Sequence, residues 1–348
     1  MDPQLYLTYD DLLLLPRYSE FMPDQVDLST HLTASYKLQI PLLAAPMDTV
    51  CEGPLALALF QLGGMGFIHR NLSIDQQRSH YRLVRSAGGE AGIALGVGLD
   101  LVGRAQALIE EGATLFCLDA AHGHSKKVIE ATRWLRSLSD ELQLIAGNVA
   151  TYEGAKALYE AGADAVRVGV GPGSICSTRI VCGVGVPQWS ALLEVKKAAR
   201  EFGKPFIADG GVRTSGDLVK ALAAGASCVM VGSLLAGTDE APGERVEREG
   251  EPYKRYRGMG STGAMRQGSA ERYGISLDEA KKVASQGVEG LVPCRGSLRE
   301  QVELLLSGLR SGMGYIGAGT IEQMERQASF LRVTMAGLAE SHPHSIVL

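Results

Sequence analysis

Of six cysteines, at 51, 117, 176, 182, 228 and 294, one ends a segment whose make-up suits chemistry. Gly169-Val170-Gly171-Pro172-Gly173-Ser174-Ile175-Cys176 follows an apolar run and places glycine at 169, 171 and 173. In such a loop the backbone amides and the Ser174 hydroxyl can cradle an anion. A thiol at its end, close to amide dipoles or a helix terminus, is drawn toward the thiolate, which makes Cys176 a candidate nucleophile. A packed loop thiol is the plain alternative. Cys117 and Cys228 lie inside apolar runs and read as small buried hydrophobes. The cysteines form no CxxC pair and show no zinc-ligand spacing, so a reducing compartment fits.

Two further segments give the loop company. Asp209-Gly210-Gly211 and Gly232-Ser233 close the next two apolar runs, and a phosphate monoester is the expected anchor for this glycine-rich group. Asp209 can accept hydrogen bonds from a ribose diol, or it can simply cap the turn at Gly210. His122 and His124, in Ala-His-Gly-His, lack a third partner at metal-ligand spacing and read as loop hydrogen-bonding groups.

The elements that must position these residues follow a repeated pattern. Ala107-Leu108-Ile109-Glu110-Glu111-Gly112-Ala113, Ala157-Leu158-Tyr159-Glu160-Ala161-Gly162-Ala163 and Ala221-Leu222-Ala223-Ala224-Gly225-Ala226 each read as a helix closed by glycine, with an apolar strand beyond. Apolar runs at 41–44, 66–68, 93–97, 115–118, 144–146, 165–168, 206–208 and 228–231 make eight strand candidates, with helical patterns between most neighbours. This favours an α/β fold closed as a TIM (β/α)8 barrel over an open doubly wound sheet. One catalytic domain over 1–348 is expected, with its chemistry at the carboxyl ends of the strands. Residues 253–298 are polar and glycine-rich, read either as a long excursion with an active-site flap or as an accessory subdomain covering the mouth. A helix is expected from about 298 to 309.

Composition narrows the partners. The 348 residues are 45% hydrophobic and 21% charged with net charge −5, and no Lys/Arg run is long enough to track a phosphate backbone, which argues against nucleic acid. No stretch of about eighteen apolar residues is present, and the first residues lack signal-peptide features, so a cytoplasmic location away from membranes is expected.

Gly171-Pro172-Gly173-Ser174-Ile175-Cys176-Ser177-Thr178 with Gly183-Val184-Gly185-Val186-Pro187-Gln188 resembles the active-site loop of the IMP dehydrogenase/GMP reductase family. The resemblance extends through Tyr9-Asp10-Asp11, Ala45-Pro46-Met47-Asp48-Thr49-Val50, Gly147-Asn148-Val149-Ala150-Thr151, Ala208-Asp209-Gly210-Gly211 and Glu340-Ser341-His342-Pro343-His344. It implies that Cys176 attacks C2 of IMP, that a hydride leaves for NAD, and that the covalent thioimidate is hydrolysed to XMP for guanine nucleotide biosynthesis. By position, Ser174, Gly210, Gly211, Gly232, Ser233 and Tyr256 would hold the phosphate end. Asp209 would hold the ribose, and Met47, Met259, Gly260 and Gln286 the base. Asp119, Asn148, Arg167 and Gly169 would face the nicotinamide half of NAD.

The resemblance also implies a flap dyad, Arg272-Tyr273, that activates water, with Thr178 as a second proton route. It implies a potassium ion held by carbonyls of Gly171, Gly173 and Cys176 and, from a neighbouring subunit, of Glu340, Ser341 and His342. Such sharing means a homotetramer. The dehydrogenase is favoured by that dyad and by Thr262, where familiar GMP reductases carry glutamate; the short chain favours the reductase, which converts GMP to IMP and ammonia with NADPH. A silent purine-nucleotide-binding barrel is the third reading. Two departures stand out: residues 83–90 bridge the place where most IMP dehydrogenases insert a CBS pair, and Leu291 stands where bacterial relatives often have arginine.

Overall fold

The computed structural model describes residues 4–269 and 284–343, and its centre is a closed parallel barrel of eight strands. The strands are β1 (Leu42–Ala44), β2 (Met65–Ile68), β3 (Gly92–Leu95), β4 (Leu115–Asp119), β5 (Gln143–Val149), β6 (Ala165–Val168), β7 (Phe206–Asp209) and β8 (Cys228–Val231). They pair in chain order, and β8 closes on β1 through Val229 opposite Leu42. Helices α1 (Gly53–Gln61), α2 (Ile74–Ser86), α3 (Leu101–Glu110), α4 (Lys126–Leu138), α5 (Tyr152–Glu160), α6 (Gln188–Phe202) and α7 (Ser215–Ala223) cover the outside. The fold is therefore the (β/α)8 barrel expected from the eight apolar runs.

Strand residues split by their two-residue period into two cores. One set, including Leu43, Phe67, Cys117, Ile145, Ala165, Ile207 and Met230, fills the barrel interior, while Leu42, Ile68, Phe116, Leu144, Val166 and Val229 pack outward against the helices. Both faces are dry, which is why the strands read as unbroken apolar runs. The repeated helix-closing glycines take left-handed backbone at Gly112 (φ 85°), Gly162 (φ 104°) and Gly225 (φ 109°), reversing the chain into the next strand. A hairpin of Thr30–His31 and Lys37–Leu38 plugs the amino end, with Leu32 and Leu38 in the inner core and Thr33 Oγ1 donating to Gln143 Oε1 at 2.6 Å.

Helix α8 (Leu298–Ile316) packs between α7 and α1 and completes the outer ring. It extends seven residues beyond Leu309, where the sequence reading ended it. The chain makes its excursion between β8 and α8. That segment contains an antiparallel sheet of β9 (Arg245–Arg248), β10 (Glu251–Arg257) and β11 (Glu289–Pro293), in order, and a short helix, Thr262–Arg266. Residues 87–91 link α2 directly to β3, turned by Gly88 at φ 74°. Among the described residues no helix is long and apolar enough to cross a membrane.

Candidate active site

The inward register that fills the barrel continues to its carboxyl end and there delivers charge. Two residues beyond Cys117, Ala165 and Ile207, the same face carries Asp119, Arg167 and Asp209. Arg167, 3% exposed, donates from Nη1 to Asp119 at 2.7 Å and from Nη2 to Asp209 at 2.6 Å. Burial disfavours the charge on Arg167, but the Asp209 and Asp119 carboxylates outweigh it and hold the guanidinium well above its usual range. Removing one partner from such a unit strands a buried charge, at a cost of about 3–5 kcal/mol.

Asn148, at the end of β5, donates Nδ2 to Gly169 O at 2.9 Å and to Asp209 Oδ2 at 2.8 Å. Its Oδ1 is buried with no partner among the described residues, an acceptor waiting for a donor. That orphan beside Asp119 and Arg167 fits an amide-bearing group such as the nicotinamide of NAD. Gln188 pins the ends of β6 and β7 together, its Nε2 donating to Val168 O at 2.7 Å and Asp209 O at 3.2 Å. Gly169 is required where these ends meet: a Cβ there would stand 2.0 Å from Asp209 O.

The polar end of the cavity is assembled from β7, β8 and β10. Gly210 and Gly211 turn with φ of 95° and 79°, and a Cβ on Gly232 would meet Met47 Sδ and Tyr256 Oη, each at 3.0 Å. The Tyr256 hydroxyl faces Ser174 and Ser233, and burial pushes it up to about 12, so it stays a neutral phenol at neutral pH. Glycine amides, hydroxyls and a phenol side by side suit a phosphate.

Cys176 is exposed, unlike Cys117 and Cys228, whose thiols burial pushes up to about 11 and about 12. Its Sγ lies 3.2 Å from Thr178 Oγ1, which in turn donates to Gln286 Oε1 at 3.1 Å. The loop is sewn to the returning arm of the excursion: Ser177 N donates to Gln286 O and Val288 N to Ile175 O, both at 3.0 Å. Gln286 N reaches Gly260 O at 3.1 Å, so the nucleophile loop, both arms of the excursion and the barrel mouth are one assembly. The outgoing arm is anchored by Asp48, whose carboxylate takes Arg257 Nη2 at 2.8 Å and Asn71 Nδ2 at 2.9 Å, while Arg257 also binds Gln267.

These groups enclose a cavity of about 310 Å³, within the range of small-molecule sites. The expected residues Met47, Asn148, Arg167, Gly169, Gly171, Gly173, Ser174, Cys176, Thr178, Asp209, Gly210, Gly211, Gly232, Ser233, Tyr256, Met259, Gly260 and Gln286 all line it. Asp119 is behind it, reached through Arg167. Glu340, Ser341 and His342 sit at and just past the end of the helix Met335–Glu340 and do not line it. Arg272, Tyr273 and His344 lie outside the described residues. Sequence reading missed Asp10 and Arg213, an ion pair at the cavity edge, and Arg179. The quoted Tyr9-Asp10-Asp11 segment was the available signal for the first.

The chain matches the model of the IMP dehydrogenase / GMP reductase domain over residues 6–344. It is 39% identical to "Inosine-5'-monophosphate dehydrogenase" of Aquifex aeolicus over 469 aligned positions, covering 98% of this chain and 95% of the relative. The proteins of that name from Cryptosporidium parvum and Escherichia coli K12 are 40% and 38% identical, each over 98% of this chain and 95% and 96% of their own. The alignment to the Aquifex protein is longer than this chain of 348 residues, so the relative carries segments without counterpart here. The match spans nearly the whole chain, and the chain belongs to the IMP dehydrogenase/GMP reductase family.

Proposed function

We propose that the protein oxidises IMP to XMP with NAD, for guanine nucleotide synthesis, through a covalent bond to Cys176. The observation that carries this is an exposed thiol 3.2 Å from Thr178 Oγ1, opening on a cavity that has a phosphate-type cradle and the Asp209 carboxylate. The shared name of the relatives supports the choice of substrate.

The phosphate of IMP rests against Ser174, Gly211, Gly232, Ser233 and Tyr256, its ribose on Asp209, and its base among Met47, Met259, Gly260 and Gln286. The sulfur of Cys176 bonds to C2 of the purine. NAD, held by Asn148, Arg167 and Gly169 with Asp119 behind Arg167, supplies the acceptor for the hydride that leaves C2. Water then adds to C2 of the thioimidate, the C–S bond breaks, and Cys176 is restored. Thr178, with Arg272 and Tyr273 of the excursion, removes the water's proton. The sum is IMP, NAD and water to XMP, NADH and a proton.

An alkali cation such as potassium suits the nucleophile loop, which offers neutral carbonyls of Gly171, Gly173 and Cys176, the hard donor class such ions take. The loop is curled by Gly171 at φ 84° and by Cys176 N donating to Gly173 O at 3.1 Å. Glu340, Ser341 and His342 of a neighbouring subunit would complete the shell in a homotetramer, and the ion would hold the loop's shape.

The test mixes protein with IMP, NAD and potassium, follows NADH absorbance and identifies the nucleotide by chromatography. NADH with XMP is expected. Silence there, with GMP and NADPH yielding IMP and ammonia, would make the protein the reductase of the family and overturn this reading.

A further inference from the structure

Three strand ends carry one ionic unit, and its central cation divides its fork unevenly. Arg167 gives Nη1 to Asp119 at 2.7 Å. Its Nε and Nη2 both converge on a single oxygen of Asp209, Oδ2, at 3.2 and 2.6 Å. Asn148 Nδ2 adds a third donor to that same oxygen at 2.8 Å. An ionised carboxylate has about two acceptor sites on each oxygen. Oδ2 is therefore committed to protein, and the capacity left for a ligand is on Oδ1. The fork and the Asn148 amide also fix the plane of this carboxylate, which is 14% exposed.

We propose that Arg167 is a positioning residue that sets the preference of the site for ribonucleotides over 2′-deoxyribonucleotides. The inference rests on the IMP reading of the cavity. A carboxylate free to rotate would serve one hydroxyl or two with little difference, turning to water when a hydroxyl is missing. Locked by Arg167, Asp209 keeps its oriented acceptor aimed at the diol, so a ligand lacking a hydroxyl leaves it unpaired, and unpaired groups are where discrimination arises. The other arm of the fork ties this carboxylate to Asp119 on the cofactor side, so the two nucleotide subsites share one anchor.

Calorimetric titration of the protein with IMP and with 2′-deoxy-IMP, in the absence of NAD, tests this. For the unmodified protein the expected affinity ratio is about tenfold or more, the worth of one hydrogen bond to a charged acceptor. Arg167→Met should bring the ratio to within about twofold of unity, with Arg167→Lys intermediate because one ammonium can serve only one carboxylate well. A merely structural arginine would weaken both ligands alike and leave the ratio unchanged. Thermal melts accompany each variant, and if Arg167→Met does not fold, the Arg167→Lys ratio decides. A ratio unchanged by substitution, or near one in the unmodified protein, overturns the inference alone. Failure of the unmodified protein to bind IMP at all overturns the IMP reading beneath it.

Discussion

Replacing Tyr256 by phenylalanine removes one oxygen from the polar end of the cavity and little else. The ring is 6% exposed and stays packed, while the hydroxyl that meets Ser174 and Ser233 is lost. If that hydroxyl donates to the phosphate of IMP, its loss costs about 1.5–3 kcal/mol, the range for a hydrogen bond to a charged group. At 1.4 kcal/mol per decade, affinity for IMP should fall by about ten- to hundred-fold. Stability should drop by only about 1 kcal/mol, the net worth of a neutral hydrogen bond. Burial holds the folded Tyr256 up to about 12, above an unfolded value near 10. The contribution of the neutral phenol is therefore complete below about pH 10 and is lost only as pH climbs toward its folded value, so tyrosine ionisation leaves the fold-loss constant across the neutral range. Titration calorimetry with IMP measures the effect, and inosine, which lacks the phosphate, serves as control. Unchanged IMP affinity, or an equal loss for inosine, would refute the placement of the phosphate at Tyr256.

Gly169→Ala should destabilise the fold by more than about 2 kcal/mol, because the new methyl would overlap Asp209 O and the backbone is at φ 153°; a denaturant melt within about 1 kcal/mol of the parent would contradict that. Arg272→Ala should keep the rapid first release of NADH and slow the steady state, as a defect in hydrolysis does; stopped-flow traces that lose both phases equally would remove Arg272 from the second step. Glu325 binds Lys196 at 2.7 Å and Arg200 at 2.5 Å; burial would raise its carboxyl, but the hydrogen bonds and charges of Lys196 and Arg200 prevail and lower it below the ordinary 4.5. Its contribution is present above that ordinary value and fades as pH falls through the lower folded one, so Glu325→Gln should reduce melting temperature at neutral pH and match the parent in acid. A gap that persists or widens in acid would contradict it.

The barrel was legible because parallel strands buried on both sides leave apolar runs that no polar face interrupts, and all eight runs fall on observed strands. Asp119, Arg167 and Asp209 were each visible at the end of such a run, but the ionic unit they form joins residues 48 and 42 positions apart, and only closure of the barrel brings them together. Asp48 with Arg257 is a longer case still, at 209 positions. The sheet within the excursion was hidden because β9 and β10 are rich in charged residues, β9 is largely exposed, and none of the three strands makes an unbroken apolar run. A signal was present in Glu249-Gly250, whose positive φ values of 57° and 83° make the two-residue turn between β9 and β10. Helix α8 was readable as a helix, but its place as the eighth helix of the ring was masked by the intervening excursion.

The most direct test of the central claim is to quench the reaction in acid during the first turnover and map adducts on the digested protein by mass spectrometry. A purine nucleotide on the peptide containing Cys176, absent from a Cys176→Ala protein that still binds IMP, is the predicted result. NADH and XMP formed at full rate by Cys176→Ala, or an adduct on another residue, would contradict covalent catalysis at Cys176.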